Sequence, residues 1–381
     1  MTPRRSARVR TYLAGAVAVV SAAAIVTAGC MSSDDQTGAG KLRTYYLAAD
    51  EVAWDYAPQQ RNLITGRRFG PDADVFVRRG RDRIGHVYLK SVFRRYTDRT
   101  FRHRSAVPAR WRHLGFLGPA IEAEVGDTIR VVFRNNTRLP TSVHPHGVLY
   151  AKDAEGALYD DGTSGVAKRD DRVRPGTTHT YLWKVPERSG PAAGDESSVA
   201  WMYHGHVDEV ADTYSGLMGP LIVTRKGMAR TDGSPSDVDR QMFSLFMVVD
   251  ENQSPYLERN VRRYARDPSS VDVDDEDFQE SNLMHAINGY VYGNGPQITL
   301  RRGEMVRWYT MAMGTEVDLH TPHWHGNTVV ADGDRRTDVV SLLPASMAMA
   351  DMHPDARGTW LFHCHVNDHI VAGMSTRYTV R

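Results

Sequence analysis

The chain has 381 residues, 47 Lys and Arg against 46 Asp and Glu, a formal charge of +1 and 41% hydrophobic residues. That length allows about two domains, each able to bury a core of its own. With no long basic block after the N-terminal segment, nothing electrostatic argues for nucleic acid, and that class of partner is set aside.

The first thirty residues differ in kind from the rest. Arg4, Arg5, Arg8 and Arg10 precede an apolar run from Leu13 to Ala28, which ends in small residues before Cys30. This reads as an export signal over residues 1–30, with the Arg4-Arg5 pair also allowing twin-arginine export. The run is short of the ~20 residues a spanning helix needs. Cys30 after Thr27-Ala28-Gly29 resembles the acceptor of bacterial lipoproteins, although Thr27 departs from the aliphatic residue usual there. The expected location is the outer face of the cytoplasmic membrane, held only by a lipid on Cys30, or otherwise secreted or periplasmic. Residues 31–40 are small and polar, a tether.

Setting Cys30 aside leaves Cys364 as the single thiol of an exported chain. It has no intrachain disulfide partner. A lone thiol in an oxidising compartment is a liability unless a metal holds it.

From Lys41 onward the apolar runs are short and broken by Gly, Pro and Asp. Thr44–Ala49, Val75–Val77, His86–Leu89, Thr128–Phe133, Tyr181–Val185 and Pro220–Val223 alternate as strands do, which predicts an all-β protein built of sandwiches with no long amphipathic helix. The acidic stretch Asp267 to Glu280 reads mostly as a solvated loop. Ser346 to Met352 alternates, which places Met347 and Met349 as soft core fillers rather than a Cu(I)-binding surface.

The two halves repeat each other. Gly126-Asp127-Thr128-Ile129-Arg130-Val131 answers to Gly303-Glu304-Met305-Val306-Arg307-Trp308, His144-Pro145-His146-Gly147 to His323-Trp324-His325-Gly326, and His204-Gly205-His206 to His363-Cys364-His365. Two homologous domains are expected, residues 41–226 and 239–381, joined by a linker over 227–238 where Gly, Ser, Pro and Asp cluster.

Ten of the 16 histidines fall in four clusters: His144-x-His146, His204-x-His206, His320-x-x-His323-x-His325, and His363-x-His365 with His369. Alternation along a strand puts both imidazoles of an H-x-H pair on one face, aimed at one metal cluster. Cys364, His369 and Met374 are three of the four donors of a blue-copper site, which takes two His and one Cys with a weak axial Met.

These clusters, in this order, resemble the four copper motifs of multicopper oxidases. The resemblance implies tandem cupredoxin-like sandwiches and four coppers per chain. His320 would be the remaining type 1 ligand beside Cys364, His369 and Met374. His144 and His323 would hold type 2 copper; His146, His204, His206, His325, His363 and His365 would hold the type 3 pair. It further implies electron passage from Cys364 through its neighbours His363 and His365 to the site of O2 reduction. In the first domain Gly205, Val210 and Ser215 stand where Cys364, His369 and Met374 stand in the second, so that domain is expected to lack type 1 copper. Two-domain relatives of this kind pair their domains between subunits, which implies a homotrimer with trinuclear clusters at the subunit boundaries.

Thr44 to Pro58, Leu114 to Pro119 and Phe278 to Gly289 resemble ceruloplasmin and its relatives. That branch implies Fe2+ as electron donor and O2 as acceptor, with an iron site formed by Glu280, His285, Asp368 and Glu316. Three carboxylates and one imidazole are a hard, anionic set suited to Fe3+. The alternatives are a laccase-like oxidase of phenols or Cu(I), copper nitrite reductase, which needs no type 3 pair, and a copper store or electron carrier.

Overall fold

The computed structural model describes residues 40–381. The export segment, Cys30 and nearly all of the tether lie outside the described residues. The protein is mostly β, in four sheets with cupredoxin-like pairing.

Two of the sheets use strands from residues 42–224. In the first, Leu42–Asp55 lies antiparallel to Val87–Tyr96 and parallel to Thr128–Asn135, which continues to Thr178–Lys184 and Leu149–Tyr150. The second runs Ile121–Glu124, Met218–Thr224, Ser198–His204, His144–Pro145. The other two sheets repeat the plan within residues 240–380. Arg240–Asp250 pairs parallel to Val306–Ala312 and antiparallel to Leu283–Ile287, as Leu42–Asp55 does with its own neighbours. The last sheet runs Ile298–Leu300, Ser375–Val380, Gly358–Cys364, Pro322–Trp324.

Alternation explains the strands. Every second residue of Thr128–Asn135 is buried, so one face of the pleat meets the core and the other does not. Each half encloses a core, Leu47, Ile129, Phe133 and Trp183 in the first and Phe246, Trp308, Trp324 and Phe362 in the second. A third core joins Tyr88, Met202 and Met218 to Leu245, Tyr309 and Met311 across the halves. Within it Lys90 and Glu251, neither with any exposed side-chain surface, form an ion pair, and Tyr56 donates its hydroxyl to the same carboxylate.

Two local expectations are corrected. Val75–Val77 closes a helix, Pro71–Val77, rather than a strand. Pro71 presets the backbone dihedral of the first turn, Asp72 and Asp74 favour its N-terminus, and Ala73, Phe76 and Val77 bury one helical face. Part of the acidic stretch is also ordered: Asp275 accepts a bond from the Phe278 N–H and caps the helix Glu276–Ser281, with Phe278 as its buried anchor. Met347–Met352 is a strand paired to Val306–Ala312, and half-buried Met347 and Met349 pack on the core between the halves.

His113 ties the halves together. Its Nε2 accepts the Phe243 N–H at 3.0 Å, its ring stacks on Phe243, and its carbonyl accepts a bond from the Asn288 side chain at 2.6 Å. Burial pushes its pKa down to about 4 from 6.5. An unfolded chain therefore takes up this proton first, and stability falls as pH drops from about 6.5 towards 4. Between pH 7 and 4.5 this residue should cost about 2–3 kcal/mol. Urea unfolding at both pH values checks it, since His113→Gln, which does not titrate, should lose that much less; equal losses would exclude the assignment.

Candidate metal centres

Strand register assembles the histidines. His144 lies opposite His204, and His323 opposite His363, as antiparallel neighbours. Facing residues of paired strands stand within side-chain reach, so each half gathers four imidazoles. In the first, ring centroids of His144, His146, His204 and His206 lie 5.1–5.6 Å apart in five of their pairings. In the second, those of His323, His325, His363 and His365 lie 4.7–5.5 Å apart, again in five pairings.

The orientation of these rings is fixed from behind. His144 Nδ1 lies 2.8 Å from the Glu155 carbonyl, and His323 Nδ1 lies 3.0 Å from the Asp338 carbonyl. Each of these rings therefore turns Nε2 towards its cluster. His146 and His204 bring their Nε2 atoms to 3.0 Å, and His325 and His363 theirs to 3.1 Å. Two N–H donors cannot approach so closely head to head, so at least one nitrogen of each pair presents a lone pair, as a metal ligand must. Burial pushes the pKa of His144, His146, His204, His325 and His363 down, to about 3 for His204, which leaves neutral ligands at pH 7. The glycine after the first H-x-H pair of each half is required: Gly147 and Gly326 have φ of +76° and +72°, and a side chain there would enter the ring of Trp201 or Trp360.

Cys364 ends the strand Gly358–Cys364 and points the other way, into the core of the second half. Its Sγ lies 3.5 Å from His369 Nδ1 and 3.8 Å from His320 Nδ1, and those nitrogens are 3.2 Å apart. First-row metal bonds of about 2.0–2.3 Å set the donors of a planar trio about 3.5–4 Å apart, so this buried triangle fits one ion. Met374 has no exposed surface and shares this core; its carbonyl accepts the Cys364 N–H and its own N–H donates to the His369 carbonyl. A His2Cys trio beside a Met is the donor set of blue copper. Burial alone would raise the Cys364 thiol, but His320, His369 and the Thr321 N–H outweigh it and bring the pKa to about 6, so the thiolate is at hand.

Sequence reasoning missed what orients His320. Its Nε2 lies 3.0 Å from Asp318 Oδ1, and this fully buried carboxylate also accepts the N–H groups of Val248 and Thr315. Gly314, at φ +125°, leaves the space that Asp318 occupies. The alternation Glu316-x-Asp318-x-His320 was the available signal, and only its first acid was read.

At the corresponding place in the first half the structure supplies a plug. Asp212 lies against Gly205, where any Cβ would come within 2.8–2.9 Å of it, and its Oδ2 accepts the Val207 N–H. Burial pushes this carboxyl up to about 7. Among the described residues, three trios of His and Cys lie within 4.8 Å of one another: His144, His146 and His204; His323, His325 and His363; and His320, Cys364 and His369.

The other proposed set is looser. His285 is buried beside His369, with ring centroids 5.3 Å apart, and burial first, then the two neighbouring imidazoles, push its pKa down to about 4. Glu280, Asp368 and Glu316 are exposed, and the four do not converge within one chain into such a group. Ring contacts likewise stay within each set of four histidines and none joins the two sets, among the described residues.

Comparison with known proteins adds the following. Two family models described as multicopper oxidase match residues 113–227 and 262–381. Ferroxidase HEPHL1 of Homo sapiens is 47% identical over 341 residues, 89% of this chain and 29% of that protein. Hephaestin of Rattus norvegicus is 45% identical over 345 residues, 90% of this chain and 30% of that protein. Ceruloplasmin of Homo sapiens is 40% identical over 356 residues, 92% and 33% respectively. The chain thus spans about a third or less of these curated relatives. Among solved structures, a multicopper oxidase crystal structure superposes with a TM-score of 0.55 at 18% identity, covering 89% of each chain, and the blue copper oxidase from Nitrosomonas europaea with 0.54 at 18%, covering 89% of this chain and 86% of that one. At that identity the likeness is one of fold.

Removing the carboxylate behind His320 while keeping its shape tests the buried triangle. Asp318→Asn should lower metal affinity at the Cys364 site by about 10–100-fold and shift the thiolate charge-transfer band, both read by titration followed in the visible spectrum. An unchanged band and affinity would show that the carboxylate does not orient His320.

Proposed function

The chain belongs to the multicopper oxidase family, in its ceruloplasmin-like branch, and we propose that it oxidises Fe2+ at the expense of O2. The balance is four Fe2+, one O2 and four protons giving four Fe3+ and two waters. The observation that carries this is the tripeptide His363-Cys364-His365, which links the buried Cys364 triangle to a four-histidine set within three residues. Copper bound at these residues supplies one-electron acceptance at the triangle and O2 binding and reduction at the histidines.

The residues divide the work. His320, Cys364, His369 and Met374, all buried, would hold the first ion, type 1, away from water. His144 and His323 hold a type 2 ion; His146, His204, His206, His325, His363 and His365 hold the type 3 pair, four coppers per chain in all. Between triangle and cluster lie two routes: the covalent chain from Sγ through the backbone, and the 2.7 Å hydrogen bond between His363 Nδ1 and the Cys364 carbonyl. On the donor side Asp368 adjoins His369 in sequence and the tilted His285 ring lies 5.3 Å from that of His369, so Glu280, His285 and Asp368 would offer iron a hard site beside the triangle. Glu316 of a neighbouring subunit would complete it. The relative named a ferroxidase supports this choice of donor over the phenols or Cu(I) of a laccase-like enzyme. The export signal and Cys30 would place the work outside the cell.

The two histidine sets also bear on assembly. The second set opens at the surface, His325 and His365 being exposed, while His144, His146 and His206 of the first are half-buried, and no ring contact joins the two sets among the described residues, so a full eight-histidine cluster would draw on two chains. The apolar surfaces near them differ: Leu149, Leu158 and Leu182 are exposed in the first half, Val317, Leu319 and Leu343 in the second. Unlike faces meeting head to tail close a ring, here a homotrimer. Sedimentation of the copper-loaded protein should give three chains, and Leu319→Glu should yield monomers that keep the blue band but lose O2 consumption. A monomer that carries four coppers and turns over would defeat the proposal.

The donor is tested by Glu280→Ala. Turnover with Fe2+ should fall about tenfold or more, while turnover with a phenolic donor holds within twofold. Equal losses with both donors would remove the iron site. Because His285 stays neutral down to about pH 4, Fe2+ binding should persist through pH 5 rather than fade near 6.5, as steady-state KM against pH would reveal.

A further inference from the structure

A cavity of about 1000 Å3 opens where the first strand begins, and none of the residues lining it belongs to the metal centres. Its walls come from both halves: residues 41–45, the end of Val87–Tyr96 and the segment from Arg104 to Ala120 in the first, Tyr290 and Pro296 in the second, with Thr231 and Asp232 between. Six guanidinium groups line it, those of Arg43, Arg94, Arg95, Arg104, Arg110 and Arg112, against only two carboxyls, Glu122 and Asp232.

Half of that positive charge is answered within the protein. Arg43 pairs with Asp127, Arg104 with Asp50 at 3.0 Å, and Arg110 with Asp232 at 3.6 Å. Arg94, Arg95 and Arg112 have no carboxylate within 4.0 Å among the described residues. Arg94 donates only to the carbonyls of Phe93 and Phe116, at 3.2 and 3.4 Å, and burial together with Arg104 pushes its pKa down. A guanidinium carries five donors in a fork shaped for an oxyanion, so bonds to two carbonyls leave most of its capacity unused.

The buried end of the cavity shows the same shortfall. Arg43 is 8% exposed and its Nη2 has no partner; Glu122 is 6% exposed and its Oε1 has none. Burial, then Asp232, push the Glu122 carboxyl up to about 7, so half of these groups carry a proton to donate at neutral pH. Buried donors without acceptors are costly and rare. The rest of the lining is apolar or aromatic: Trp111, Tyr290, Leu114, Leu117 and Pro119. A pocket of this volume with few polar groups converging in it is the usual form of a small-molecule site.

We propose that this cavity binds a small oxyanion carried on an apolar body, with its head held by Arg94 and Arg43 and its body against Trp111 and Tyr290. Carboxylates and phosphate monoesters share that chemistry. Since Tyr290 of the second half lines the same cavity as Arg94 of the first, the ligand would touch both halves.

The test is calorimetric titration of the full, copper-loaded chain with phenyl phosphate, phenylacetate, inorganic phosphate and benzyl alcohol. At least one aromatic anion should bind one per chain, ten times or more tighter than inorganic phosphate and benzyl alcohol, and the ratio between the two anions identifies the preferred head. Arg94→Gln should weaken that binding tenfold or more while leaving the blue band and oxidase turnover unchanged. If Arg94→Gln does not fold, Arg112→Gln, an exposed position, should weaken binding at least threefold. Absence of saturable binding by either aromatic anion, equal binding of inorganic phosphate, or binding indifferent to the arginine variant would each overturn the proposal.

Discussion

The constraint from which the rest of this molecule follows is the period of a β-strand. Successive side chains of an extended chain face opposite ways, so the end of Gly358–Cys364, with His365 directly after it, sends the thiol to one face and the flanking imidazoles to the other. One side of the strand is the core of the second half, where Cys364 meets His320, His369 and Met374. The other is the cluster face, where His363 and His365 meet His323 and His325. No loop needs to connect two kinds of metal site, because the pleat already separates them by one residue. A shift of register by one would exchange the faces and destroy both sites together. The pairing of His323 with His363, anchored by the large buried rings of Trp308, Trp324 and Phe362, is what prevents that shift.

Much of this was legible in the sequence because the relevant signals are local. An H-x-H pair declares its strand and its face, and repeated pairs in the two halves declare the repeat. What escaped was non-local or depended on burial. Asp318 sits two residues from His320, yet its role appears only once the strand Arg240–Asp250 brings the Val248 N–H against it. Val75–Val77 looked like a strand because three apolar residues carry no period of their own; Pro71 and two early acids settled it as helix. Asp275 read as one more solvated acid, whereas Phe278 behind it makes it a cap. The iron set remains a matter of side chains from three exposed segments, which sequence spacing alone does not gather.

The third core deserves equal weight in any account of why the halves stay together. Methionines from both sides fill it, and Met202, Met218, Met247, Met284 and Met311 suit a surface whose shape is dictated by two sandwiches at once. Lys90 and Glu251 sit inside it at a cost in desolvation that only mutual pairing and the Tyr56 hydroxyl offset. Such a pair tolerates one alignment of the halves and penalises others. His113 adds a second fixed point, and the arginine-lined cavity lies at the edge of the same junction.

Gly205 and its neighbour Asp212 give the molecule its asymmetry. The carboxyl occupies the room a thiol would need, so the first half cannot regain a thiolate by one substitution; the plug and the glycine would have to change together. In a protein that works as proposed, every oxygen-reducing cluster is therefore served by a single electron port. Four electrons must queue through one sulfur, and the supply of donor, rather than the number of ports, sets how long a partly reduced cluster must wait.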